Sequence, residues 1–194
     1  MAFSQKAFDL ILSFEGMGQP RQWPGGESGV TIGFGYDIGY VTAAQFQSDW
    51  GDELPANVMA KLKTAVGLKG IAAKNKAAQL KDINIDRDVA LAVFTNKTVP
   101  EYEAQTRAAF PGFDALPIDA QGALVSLVFN RGTSMKGDRR KEMRAIRDAV
   151  PTGNLLEIAK QLRAMKHLWV GQGLDGLLRR RDAEADMVEA SIPS

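Results

Sequence analysis

Apolar side chains recur at helical spacing over most of the chain, and one short segment alternates instead. Near the start, Phe8, Ile11 and Leu12 form one stripe, which predicts a helix over 4–15. Apolar and small or polar positions alternate over 29–41 and predict a hairpin. We expect an α+β, predominantly α-helical protein. Prolines and glycines separate its further predicted helices, at 42–49, 55–66, 70–80, 86–108, 118–130, 138–149, 154–168 and 174–190.

A single acid, Glu15, occupies the position at which the first apolar stripe would continue. It ends the predicted helix, and Gly16 follows as a helix stop. Burial and the partial negative charge of a helix C-terminus both favour a neutral carboxyl group, the form that a general acid needs. The alternative is a glutamate that turns out into water.

Thr31 and Asp37 are the polar side chains on one side of the alternating segment. A straight strand would hold them about 20 Å apart, too far to serve one reacting centre. Gly33 and Gly35 therefore predict a turn that brings Thr31 and Asp37 together. The alternative is an ordinary glycine-rich hairpin in which Asp37 caps a neighbouring turn.

These segments carry a resemblance to a known family. Phe14-Glu15-Gly16, followed by Gly29-Val30-Thr31-Ile32-Gly33-Phe34-Gly35, resembles the catalytic signature of phage-type lysozymes, in which a helix-terminal Glu precedes a small hairpin. Those enzymes cleave the glycan of bacterial peptidoglycan. The resemblance implies one lysozyme-like catalytic domain over 1–194. A small β-hairpin lobe would cover about 1–50 and a larger helical lobe about 51–194.

The second carboxylate departs from the usual pattern, which places it six residues before the Thr. That position is Gly25 here, and Glu27 is a shifted substitute. Asp37, six residues after Thr31, is instead similar to the pesticin-like variant of the fold, in which the Glu, the Thr and a later Asp form the site. The resemblance therefore implies Glu15, Thr31 and Asp37 as the catalytic residues, with Glu27 as the alternative to Asp37.

The resemblance continues towards the C-terminus. Asn130-Arg131-Gly132 looks like the Asn-x-Gly at the cleft edge of the family, which implies that Asn130 binds substrate. A second family motif, Gly-Leu-x-x-Arg-Arg-x-x-Glu, is matched by Gly176-Leu177-Leu178-Arg179-Arg180-Arg181-Asp182-Ala183-Glu184. In the family, the first Arg of the Arg-Arg pair contacts the catalytic Glu. Arg180 is thus implied as the ion-pair partner of Glu15, and a solvated charge run is the alternative.

The tryptophans and the single histidine give weaker indications of function than the carboxylates. Trp23 lies between Glu15 and Thr31 and is a candidate for stacking on a sugar ring, with packing as the alternative. Trp50 is predicted to be exposed. The chain has no cysteine, which excludes disulfides and thiolate chemistry, and His167 alone argues against a histidine-based zinc site or a Ser-His triad.

Charge is unevenly distributed along the chain. Residues 131–181 contain 13 Lys and Arg against 5 Asp and Glu, although the whole chain has a net charge of +1. A basic half would attract the anionic bacterial envelope, and it would also attract nucleic acid. Because these charges alternate with apolar residues at helical spacing, many of them are expected to be solvated helix faces.

The resemblance implies a bacteriolytic muramidase that hydrolyses the β-1,4 bond between N-acetylmuramic acid and N-acetylglucosamine. Glu15 would protonate the leaving oxygen, Asp37 would stabilise the cationic centre or activate water, and Thr31 would hold that water. We expect inversion at the sugar. A lytic transglycosylase on the same substrate and a non-catalytic cell-wall or nucleic-acid-binding protein are the alternatives.

No metal or organic cofactor is expected, because carboxylates alone can carry this chemistry. Peptidoglycan strands are the expected partner, and the protein is expected to be a monomer. An immunity or inhibitor protein is a further candidate partner. We expect neither binding to nucleic acid nor stable insertion into a membrane.

No Sec-type signal is recognised. We therefore expect synthesis in the cytoplasm and delivery by a holin, by lysis or by a secretion machine to the periplasm or wall of a target bacterium. The protein would be a phage endolysin, a secreted antimicrobial effector or a bacteriocin domain.

Overall fold

A computed structural model describes residues 4–193, which fall into two compact units. One unit is Glu15–Val99, and the other contains the described residues on either side of it. Helices account for most of the described residues, and three short strands form the sheet, so the predicted α+β, predominantly helical class is confirmed. The α-helices are α1 (Gln5–Phe14), α2 (Ala43–Trp50), α3 (Ala56–Lys63), α4 (Gly70–Ala77), α5 (Arg87–Val93), α6 (Val99–Ala109), α7 (Ile118–Arg131), α8 (Lys141–Ala149), α9 (Leu155–Ala164) and α10 (Asp175–Ala190).

The sheet of the Glu15–Val99 unit is antiparallel throughout, in the order β1 (Met17–Gly18), β2 (Thr31–Phe34) and β3 (Tyr36–Asp37). In β2 and β3, Thr31 lies opposite Asp37 and Ile32 lies opposite Tyr36. Residues directly opposite each other across a ladder point to the same face. The sheet therefore presents Thr31 and Asp37 side by side, as the glycine spacing predicts.

Two glycines make this hairpin turn. Gly33 and Gly35 have φ angles of +56° and +72°, a region that side chains with a Cβ rarely adopt. A Cβ on Gly33 would also lie 3.0 Å from Cη2 of Trp50. The turn is therefore specific to glycine at these positions.

Trp50 was predicted to be exposed, and this prediction is wrong. Its side chain is 1% exposed and packs edge-on against Tyr36, with ring centroids 5.6 Å apart. Phe46 lies one helical turn earlier on α2 and is also buried. The i, i+4 pair thus forms the inner face of α2 against the hairpin.

Tyr36 also ties β3 to α2 through a buried hydrogen bond. The Tyr36 hydroxyl donates to Oδ2 of Asp49 at 2.6 Å, and Gln45 also donates to that carboxylate. We expect Tyr36→Phe to lower the free energy of unfolding by about 1 kcal/mol, because Asp49 keeps its second donor. Urea unfolding measures this change. Tyr40→Phe is the control, because it removes an exposed hydrogen bond, to the backbone oxygen of Glu27, from a residue that is 60% exposed. An equal loss in both variants would contradict the prediction.

In the other unit, α7 is the central helix. Its residues 120–128 are all buried, as expected for a helix surrounded by others. The helix α10 packs against α9, α7 and α1, and α8 packs against α9. Within residues 4–193, no helix is both long and apolar enough to cross a membrane.

The longest predicted helix is interrupted in the structure. The segment 86–108 was predicted as a single helix, and the structure divides it into α5, a π-helical turn at Phe94–Thr98, and α6. Asp86 caps α5 by accepting from the backbone N–H groups of Asp88 and Val89. Pro100, near the start of α6, has no N–H to donate, which accounts for the irregular hydrogen bonding just before it.

Candidate active site

An open pocket of about 300 Å³ lies on the Glu15–Val99 unit. It contains an acid, a hydroxyl, an indole and several positions without bulky side chains, which together suit a polar, ring-shaped ligand. The lining residues are Glu15, Gly16, Met17, Gly18, Gln22, Trp23, Pro24, Thr31 and Gly35.

The sheet brings Glu15 and Thr31 into this pocket. Glu15 follows the last residue of α1 and lies two residues before β1. Because β1 pairs with β2, the chain that carries Glu15 runs beside the strand that begins at Thr31. Both side chains are half-buried. An acid able to give up a proton and a hydroxyl able to orient a water molecule therefore share one accessible surface.

Asp37 is held differently. Its Oδ2 accepts from the backbone N–H of Gly29 at 2.9 Å, and its Oδ1 accepts from that of Gly39 at 2.8 Å. The second bond caps the short 3₁₀ helix Ile38–Tyr40. Asp37 thus lies opposite Thr31 on the ladder, while the described pocket lining includes Thr31 and not Asp37. The turn-capping contact considered from the sequence is present, and it fixes the carboxylate in one orientation.

Gly29 and Gly39 complete this arrangement, and sequence reasoning assigned them no role. A Cβ on Gly29 would lie 2.1 Å from Oδ1 of Asp37 and 2.5 Å from Cα of Gly39. A Cβ on Gly39 would lie 2.5 Å from the backbone oxygen of Leu68. We call Gly29, Asp37 and Gly39 the carboxylate clasp. The signal in the sequence was a glycine two residues from each end of the segment Thr31 to Asp37.

Glu27, the alternative second carboxylate, is exposed. A Cβ built on Gly70, the first residue of α4, would lie 3.6 Å from Oε2 of Glu27. The Glu27 carboxylate therefore lies beside the start of α4, where the helix dipole favours negative charge. Within residues 4–193 it does not line the pocket that contains Glu15.

Trp23 lines the pocket and is half-buried. Its indole Nε1 donates to the backbone oxygen of Ser28 at 3.0 Å, which fixes the ring. A fixed and partly exposed indole combines the two alternatives considered from the sequence, because one part of the ring packs while another is available to a ligand.

Asn130 and Arg180 belong to the other compact unit. Asn130 is exposed near the end of α7. Arg180 is 2% exposed, and it donates to the hydroxyl and the backbone oxygen of Ser126, each at 3.1 Å. Its guanidinium also lies 3.3 Å from Glu184 and 5.7 Å from the ring of Phe14. Arg180 is therefore a buried, hydrogen-bonded residue and not part of a solvated charge run. Its pairing with Glu15 stays a prediction.

The basic segment 131–181 is partly neutralised within its own unit. Arg163 pairs with Asp186 and Glu189, and Lys166 pairs with Asp182 at 2.7 Å. These acids follow the basic segment in the chain and balance part of its excess charge. Burial and the neighbouring Arg140 and Arg181 lower the pKa of Arg131 to about 10.

A small antiparallel sheet that places a threonine beside a half-buried glutamate in an open pocket, in a mostly helical chain, fits the lysozyme-type glycoside hydrolases. The family model described as "Pesticin: Bacterial toxin homologue of phage lysozyme, C-term" matches residues 7–145, and the chain belongs to this family. No curated protein matches the chain. The resemblance seen in the sequence is thereby confirmed, and with it the lysozyme-like fold.

The family match covers Glu15, Thr31, Asp37 and Asn130 and ends before Arg180. At the level of the family, the chain is a muramidase-type peptidoglycan hydrolase with a domain that acts on the cell wall.

Proposed function

We propose that the protein is an N-acetylmuramidase, which hydrolyses the β-1,4 bond between N-acetylmuramic acid and N-acetylglucosamine in peptidoglycan. The observation that carries this proposal is that Glu15 and Thr31 line the same open pocket in a chain of this family. A glycosidic bond needs a proton donor at its leaving oxygen, and a glutamic acid in an accessible pocket can supply it.

Glu15 acts as the general acid. Its carboxyl proton passes to the glycosidic oxygen while the bond from that oxygen to C1 of the muramic acid breaks, and positive charge develops at C1 and the ring oxygen. Water, held by the Thr31 hydroxyl, attacks C1 and loses a proton. The products are a new reducing end on N-acetylmuramic acid and a free 4-hydroxyl on N-acetylglucosamine.

Asp37 supplies the second carboxylate in this proposal. The two backbone N–H groups of the carboxylate clasp fix it opposite Thr31, so it needs no reorganisation when charge develops. From that position it activates the water that Thr31 holds, and this route inverts the configuration at C1. Glu27 is the weaker candidate, because its carboxylate lies beside α4.

A lytic transglycosylase is the second candidate, and one observation favours it. Among the described residues that line the pocket, Glu15 supplies the only carboxylate. A transglycosylase needs a single acid, which first protonates the leaving oxygen and then takes the proton of the muramic acid 6-hydroxyl as that hydroxyl attacks C1. Its product is a 1,6-anhydro ring, and no water is consumed.

Digestion of purified sacculi, followed by mass spectrometry of the soluble products, tests the proposal. We expect muropeptides with reducing muramic acid ends, each heavier by one water than its 1,6-anhydro counterpart. Anhydro ends throughout would establish the transglycosylase instead. Intact sacculi after prolonged incubation would refute both enzymes and leave a non-catalytic cell-wall or nucleic-acid-binding protein.

Action on this substrate places the protein in the periplasm or at the wall of a target bacterium. We propose that a monomer works there as a bacteriolytic agent, delivered by a holin, by lysis or by a secretion machine. An inhibitor that protects the producing cell would be expected to cover the pocket that contains Glu15.

A further inference from the structure

Two lysine–aromatic pairs lie on the unit that carries the pocket. The ammonium of Lys74 lies 5.8 Å from the ring centroid of Trp23, and that of Lys69 lies 3.8 Å from the ring centroid of Tyr40. Both distances are within the range of a cation–π interaction. Each pair therefore holds a positive charge next to an aromatic ring.

One short loop holds the two pairs together. The backbone oxygen of Ser28 accepts from the Trp23 indole and from the N–H of Gly70, each at 3.0 Å. The neighbouring backbone oxygen of Glu27 accepts from the Tyr40 hydroxyl at 2.9 Å. Both rings and the start of α4 are thus tied to consecutive residues. We call Trp23, Tyr40, Lys69 and Lys74 the lysine–aromatic surface.

This surface is accessible and continuous with the pocket. Tyr40 is 60% exposed, and Lys69 and Lys74 are also exposed. Trp23 belongs to the surface and to the lining of the Glu15 pocket. A ligand in the pocket that carries a side branch would therefore meet the surface across Trp23.

The charges of the surface are available to such a ligand. Within residues 4–193, Lys69 and Lys74 make no salt bridge, whereas Lys61 of the same unit pairs with Asp82. Glu27 is the nearby acid, and its carboxylate lies beside Gly70 at the start of α4. Among the described residues, the salt bridges leave both lysine charges of the surface without a carboxylate partner, so an anionic group would be attracted.

We infer that the lysine–aromatic surface binds the acidic peptide branch of peptidoglycan while the glycan occupies the pocket. This inference rests on the proposed function, which supplies the glycan. Stem peptides carry free carboxylates together with methyl groups, and these match the ammonium groups and ring edges of the surface. The surface then selects peptide-bearing glycan over bare glycan.

The double variant Lys69→Ala/Lys74→Ala tests this inference through initial rates on two substrates. One substrate is soluble glycan strands that carry peptides, and the other is the same strands after an amidase has removed them. We expect KM to rise about 3- to 10-fold on peptide-bearing strands, in line with the loss of two exposed ion pairs, and to change less than about twofold on bare strands. The difference should shrink as salt is raised, because exposed charges are screened.

Lys63→Ala/Lys81→Ala is the matched control, since both lysines are exposed and lie in the same unit. It should leave KM unchanged on both substrates. An unchanged KM for Lys69→Ala/Lys74→Ala, or an equal rise on both substrates, would overturn the inference. Cleavage of either kind of strand by the unmodified protein, with reducing muramic acid ends on the products, shows in the same experiment whether the proposed function holds.

A binding measurement gives a readout that does not need turnover. Calorimetry with both kinds of strand is performed on Glu15→Gln protein, with and without the two lysine substitutions. We expect tighter binding of peptide-bearing strands only where Lys69 and Lys74 are present. Equal affinity for both strands in the presence of the lysines would overturn the inference even if no strand is cleaved.

Discussion

Glu15→Gln is expected to reduce the cleavage of peptidoglycan by about 10²- to 10⁴-fold, the usual contribution of a general acid. The amide has the shape of the carboxyl group but has no acidic proton for the leaving oxygen. Because Glu15 is half-buried at the pocket wall and the amide keeps its size and an acceptor oxygen, we expect the variant to remain folded. The loss should therefore fall on kcat, while substrate binding persists.

Clearing of a sacculus suspension, together with thermal unfolding of the same preparations, measures both effects. Glu27→Gln is the matched control, because it makes the same chemical change in the same unit on an exposed carboxylate outside the pocket lining. It should clear sacculi at the rate of the unmodified protein. If Glu15→Gln cleared them equally fast, Glu15 would not be the acid and the proposed mechanism would fail.

The parts of the site that could be predicted from the sequence depend on local geometry. The alternation around Thr31 and the glycines at 33 and 35 predict a turn, and a turn there fixes which residues face each other. The ladder that pairs Thr31 with Asp37 follows from this spacing alone. The helix before Glu15 was predictable in the same way, from an apolar stripe of three residues.

The parts that could not be predicted depend on contacts between distant segments. Trp50 ends a short helix, and its i, i+4 partner Phe46 indicates only that α2 has one apolar face. Nothing local indicated that Tyr36 and Gly33 would cover that face. The bonds from the backbone of Gly29 and Gly39 to Asp37 were hidden for a similar reason. The glycines at positions 29 and 39 could indicate a close approach of the backbone, but not that their N–H groups bind Asp37. Which N–H a carboxylate meets is decided only when the hairpin closes.

The clasp also explains why Asp37 and Glu15 require different experiments. The Glu15→Gln variant is expected to remain folded. The two oxygens of Asp37, by contrast, each accept one backbone N–H, so any substitution there alters structure as well as chemistry. Activity alone therefore cannot assign Asp37, and stability must be measured beside it.

Asp37→Asn is expected to lower cleavage by about 10²-fold or more and also to lower the free energy of unfolding by about 1–3 kcal/mol. The amide oxygen can still accept from Gly29 or from Gly39, but the amide nitrogen then faces the other N–H. One backbone donor loses its partner, and the charge that would activate water is removed. Both effects are measured on one preparation, at a temperature at which urea titration shows the variant to be fully folded.

Thr42→Ala separates these two effects. The Thr42 side chain caps α2 by accepting from the N–H of Gln45, and its loss should cost about 1 kcal/mol without changing any carboxylate. We expect this variant to cleave peptidoglycan at the normal rate when folded, whereas Asp37→Asn does not. If Asp37→Asn lost stability but kept full activity, Asp37 would serve only to close the hairpin. If Glu27→Gln were also fully active, Glu15 would be the one carboxylate of the reaction, as a transglycosylase requires, and 1,6-anhydro products should appear.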